Sequence, residues 1–156
     1  MASTLDKLFV LPFSEARLRE AIESHLRFRS PDAIRATLSE NNSHITQKSG
    51  ALLGAQAIFL VVDTYGLDHG WPRLAVLVSI IALVFAALIL MANLRTVYME
   101  AASDVIEPAE MERASLMQIG RLAGTRGARF NIALYMTFLS VILLGIGAVD
   151  ASLGWA

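Results

Sequence analysis

Two runs of this chain carry no charge for twenty residues or more, and nothing else in the sequence restricts its fold as much. Leu74–Leu94, LAVLVSIIALVFAALILMANL, is 21 residues long, and Phe130–Val149, FNIALYMTFLSVILLGIGAV, is 20, closed off by Arg129 and Asp150. A hydrocarbon core about 30 Å thick takes roughly 20 helical residues at about 1.5 Å each. Both runs have that length, so each is expected to cross a bilayer as a helix. A third stretch is shorter. Between Lys48 and Asp63 lie 14 uncharged residues, SGALLGAQAIFLVV, with Gln56 near the centre. They give about 21 Å of helix. Thr64-Tyr65-Gly66-Leu67 extends this span, with Asp63 near one interface and the Lys48 stem reaching toward the other. The expected spans are 49–67, 74–94 and 130–149. The N-terminus lacks the charged, apolar, small-residue order of a signal peptide.

Composition points the same way. The chain is 55% hydrophobic and 17% charged, against about 45–50% and about 25% in soluble domains. Thirteen Lys and Arg oppose 14 Asp and Glu, a net charge of −1, which excludes an overall polybasic nucleic-acid binder. High hydropathy excludes disorder. The absence of cysteine excludes a disulfide scaffold and any Cys-ligated metal.

Basic residues set the orientation. Residues 1–48 hold seven Lys and Arg, residues 95–129 hold five, residues 63–73 hold Arg73 alone, and none follows Val149. With three spans the split is twelve to one, so the N-terminus is expected in the cytoplasm and the C-terminus outside. Tyr65, Trp71 and Trp155 then gather at the outer interface, where such rings prefer to sit. The reading is an all-α integral protein of the bacterial inner membrane. It has a cytoplasmic helical region at 1–48, a three-span domain at 49–149 with a cytoplasmic connection at 95–129, and an outer tail at 150–156.

The cytoplasmic parts read as helices. Ser14–Arg29 has a capping Ser, Glu15 in its first turn, and Leu18, Ile22 and Leu26 at steps of four. Its polar face mixes both signs, so packing on the protein's own cytoplasmic part is expected rather than membrane docking. Ser30-Pro31-Asp32 starts a second helix, which can continue into the first span with Asn41-Asn42 as a weak point. Arg95–Ser103 permits helix. Pro108 opens another segment toward Arg121, with Gly120, Gly124 and Gly127 loosening its end.

Catalytic spacing is absent. His25, His44 and His69 are scattered, and Glu107, Glu110 and Glu112 lack the Glu-x-x-His partners of a di-iron site. No phosphate loop, nucleophile elbow or metal-ligand motif occurs. No charge lies in the second or third span, which argues against a proton relay. Neither an enzyme nor a cofactor is expected. The spans carry packing chemistry instead. Gly50-x-x-x-Gly54 gives the first helix a small face, and Gln56 is an amide that needs a partner in lipid. These residues point to a homo-oligomer or to membership of a larger complex.

Thr46–Ala55, TQKSGALLGA, resembles the D-x-K-A-x-x-L-L motif that opens the first span in the Pycsar effector family of small bacterial membrane proteins. Lys48, Gly50 and Leu52-Leu53 match. Thr46 stands where the family has Asp, Gln47 fills the variable position, and Ser49 replaces Ala. The resemblance covers about residues 35–100. It implies an anti-phage effector triggered by a cyclic pyrimidine nucleotide to assemble and compromise the bilayer. The alternative is an accessory subunit of an inner-membrane complex.

Overall fold

A computed structural model of the protein describes residues 15–94 and 108–153. Ser14, Arg95–Ser103, Glu107 and Trp155, on which parts of the sequence reading rest, lie outside the described residues. The described residues are almost wholly helical: α1 (Glu15–Leu26), α2 (Pro31–Asp68), α3 (Arg73–Leu94) and α4 (Pro108–Leu153). Three of the four are long and apolar enough to cross a membrane. The protein is an all-α, multi-pass membrane protein. Its residues divide into two compact units, one from 15–47 and 108–128, the other from 48–94 and 129–153.

The first unit is built around α1. Leu18, Ala21 and Ile22 are buried against Ile34 and Leu38 of α2 and Leu116 of α4, with Leu26, Met117 and Ile119 around them. A helix of 12 residues is marginal alone in water, so these contacts hold it. Burying each large aliphatic side chain is worth about 1.5–3 kcal/mol. The expected packing of this helix on the protein itself is what the structure shows. The chain leaves α1 through a turn in which the Phe28 and Arg29 amides both donate to the His25 carbonyl, at 3.0 and 2.9 Å. Ser30 then caps α2, accepting from the Ala33 amide at its hydroxyl and from the Ile34 amide at its carbonyl.

Two expected weak points are intact helix. α2 passes through Asn41-Asn42 without a break, and the Asn42 side-chain oxygen accepts from Arg126 Nη1 at 3.0 Å. α4 likewise runs unbroken through Gly120, Gly124 and Gly127. Gly120 lies beneath Leu18, where a β-carbon would stand 2.8 Å from Leu18 Cδ1. Close packing there outweighs the low helix propensity of glycine.

In the membrane unit the polar side chains Ser49, Gln56, Asp63, Ser79, Asn93, Thr137 and Ser140 are buried, while many large apolar ones face out. α3 buries Val76, Ser79, Ala82, Leu83, Ala86, Leu90 and Asn93, while Leu77, Ile81, Phe85 and Leu88 are exposed. Such an exposed stripe would be an aggregation hazard in water. In lipid it is the solvent-facing side. Ala86, Leu90 and Ala133 form the apolar contact of the unit, with Leu52, Leu53 and Phe130 against them. At the end of α2 the Trp71 amide donates to the Gly66 carbonyl at 3.0 Å, and Gly70 adopts φ 79°. A 6→1 bond with a left-handed glycine inside it is the Schellman termination, and it turns the chain into α3 within four residues.

Candidate functional site

α2 carries a polar residue every seven positions: Asn42, Ser49, Gln56 and Asp63. Seven residues are nearly two helical turns, so the last three line one stripe within the membrane unit, about 10.5 Å apart. All three are buried. Gln56 Nε2 donates to Thr137 Oγ1 of α4 at 2.7 Å. Ser79 of α3 donates its hydroxyl to Asp63 Oδ2 at 2.9 Å, and Ser79 Oγ lies 2.5 Å from Ser140 Oγ of α4. One hydrogen-bonded cluster thus draws a side chain from each of the three spanning helices. Ser49 Oγ, Gln56 Oε1 and Asp63 Oδ1 are buried and have no hydrogen-bond partner.

The sequence reading sets Asp63 near one interface and assigns it no partner; it lies inside α2, fully buried against Ser79. Asp63, Ser79, Thr137 and Ser140 were all missed as candidates. The seven-residue recurrence from Ser49 to Asp63 would have pointed to Asp63; Ser79, Thr137 and Ser140 lie on other helices and carry no such signal.

The residues singled out from the sequence fall on different faces. Gly50 and Gly54 are exposed, with no neighbour within 4 Å of where a β-carbon would be. Gln56 lies on the opposite side of α2, engaged with α4, so the amide and the glycines do not form one surface. In the stretch resembling the effector motif, Thr46 donates its hydroxyl to the Asn42 carbonyl at 2.9 Å. Gln47 and Lys48 are exposed, and Ser49 is buried.

The first unit has a groove of about 280 Å³ between α1 and α4. Its floor is Ile22, Leu26 and Met117, and Arg19, Glu23 and Arg113 stand around it. A groove lined by two arginines, one glutamate and apolar side chains has the chemistry for a small ligand with an anionic group and a flat apolar part. The histidines do not converge: His44 pairs with Glu40 at 3.6 Å on the surface, and His69 Nδ1 meets the Tyr65 carbonyl at 2.8 Å. Among the described residues no group of three His, Asp or Glu could hold a metal. Comparison with protein families, curated proteins and solved structures returns no match.

Proposed function

We propose that this chain is a small, non-catalytic protein of the bacterial inner membrane, an anti-phage effector that a cyclic nucleotide triggers to self-associate and compromise the bilayer. The observation that carries the ligand-triggered reading is the α1–α4 groove, lined by Arg19, Glu23 and Arg113 together with Ile22, Leu26 and Met117. A cyclic nucleotide has one phosphate charge for the guanidiniums and a flat base for the apolar floor. The twelve-to-one distribution of basic residues supports a cytoplasmic position for this unit, where such a ligand would be made. The Lys48 stretch adds the resemblance to the Pycsar effectors, and it belongs to the same helix that carries the first span.

The test is membrane potential in cells expressing the protein with a nucleotide cyclase. The expected result is depolarisation that requires the cyclase and is blunted by R19A, R113A and K48A at unchanged membrane levels. Cells that stay polarised with every cyclic nucleotide tried, in a strain where the protein co-purifies with a larger membrane complex, would establish the accessory-subunit reading. The open Gly50/Gly54 face favours that second reading as well, since a partner's helix fits it as readily as a second copy does.

A further inference from the structure

The only Asp, Glu, Lys, Arg or His between Lys48 and Asp68 of α2 is Asp63; α3 has none between Arg73 and Leu94, and α4 none between Arg129 and Asp150. The side chains packed on the Asp63 carboxyl from the other two helices are therefore neutral hydroxyls, Ser79 directly and Ser140 through Ser79. A carboxylate buried among apolar helices with no opposite charge beside it costs several kilocalories, and the cost is removed only by a counter-ion or a proton. One carboxyl oxygen is unpartnered. Asp63 Oδ1 is fully buried and without a hydrogen-bond partner, while Oδ2 is held by Ser79. The donor set is all oxygen, which suits hard cations, and its single formal charge matches one positive charge. A divalent ion would normally draw on more carboxylates than this.

We propose that Asp63, Ser79 and Ser140 form an intramembrane site for one small monovalent cation, sodium or the proton itself, whose binding locks α2, α3 and α4 together. The proposal stands apart from the effector reading, because it rests on the membrane unit alone and its readout needs no nucleotide. With the cation bound, the carboxyl ties all three helices to one centre. With the site empty, the uncompensated charge draws water between them and loosens the bundle.

The experiment is thermal unfolding of the purified full chain in a neutral detergent. Sodium chloride is compared with choline chloride at equal ionic strength, in mildly alkaline and mildly acidic buffer. For a sodium site, the melting temperature rises by several degrees in sodium over choline at alkaline pH, and the difference shrinks in acid as protons compete. For a proton site, sodium has no effect and acid alone stabilises. In either case D63N, a near-isosteric neutral side chain, abolishes the dependence, and D150N, at the end of the same unit, leaves it intact. S140A, which keeps the carboxyl, moves the sodium midpoint several-fold toward higher concentration, or shifts the proton midpoint if the proton is the occupant, and serves if D63N does not fold. Identical responses of wild type, D63N and S140A to both cations would overturn the proposal. So would a dependence abolished by D150N instead.

Discussion

Gln56 donates its side-chain amide to Thr137 Oγ1 at 2.7 Å across 81 residues of sequence, and both side chains are buried. Thr137 passes its own hydroxyl hydrogen to the Ala133 carbonyl one turn back, at 2.8 Å. The chain of two bonds ties α2 to the backbone of α4. Interhelical hydrogen bonds in membrane proteins average about 0.6 kcal/mol and reach about 1.7 kcal/mol. Q56L and T137V are each expected to lose stability in that range. The double variant should lose no more than the worse single one, giving a coupling energy of the same size. Additive losses in reversible unfolding from detergent would mean the two side chains do not depend on each other.

How much of this was legible beforehand follows from what each signal measures. The two long spans could be read directly, because twenty uncharged residues leave few other folds. The path of α1 could be read too, since Leu18, Ile22 and Leu26 define one face. The burial of Asp63 was not legible, because hydropathy registers that a charge is present, not which side of a helix it occupies. Its partners Ser79 and Ser140 lie on other helices and resemble any serine in an apolar run. The unbroken passage of α4 through Gly120 was hidden for a related reason. Propensity is local, whereas the Leu18 contact that holds Gly120 is made by another helix. Arg19 and Arg113 form no motif and line one groove only because α1 docks on α4.

The Gly120 contact yields a stability prediction. A β-carbon there would stand 2.8 and 3.1 Å from the two methyls of Leu18, which is buried in the core of the first unit. G120V is expected to destabilise this unit by about 1–3 kcal/mol through overpacking. G120A should cost less, because alanine returns roughly 1 kcal/mol of helix propensity. Thermal melts followed by far-UV circular dichroism give the comparison. Adding L18A to G120V should recover part of the loss; no recovery would show that the strain lies elsewhere.

Trp71 gives an optical readout of the turn between the first two spans. A β-carbon on Gly66 would run into the Trp71 indole, and one on Gly147 would come within 3.2 Å of the same ring. G66A is therefore expected to push the indole out of its seat. The chain has two tryptophans, so the measurement uses a W155F background in which emission reports Trp71 alone. A red shift on going from Gly66 to Ala is expected. An unchanged emission maximum would show that the ring has room to accommodate the methyl.

Orientation is checked by reporter fusions after residues 10, 69 and 156. The basic-residue distribution predicts that they read cytoplasmic, outer and outer. An inward-reading C-terminus would mean that α2 does not cross, despite having the length and hydropathy to do so.

Self-association is tested on the face of α2 that the chain leaves open. Gly50 and Gly54 sit one turn apart, and a β-carbon at either would meet nothing within 4 Å. An isoleucine at position 54 therefore costs the folded monomer little, beyond a small change in helix propensity. In a dimer that uses this face, the same branched side chain would force the two backbones apart, because close approach there depends on small residues. G54I is expected to abolish the higher bands of a crosslinking ladder in membranes while leaving the detergent melting temperature of the monomer within a few degrees of wild type. G145I, on the third span at a position equally open, should leave the ladder intact if assembly runs through α2. A ladder unchanged by G54I would assign the glycine face to lipid, and assembly would then have to use another surface.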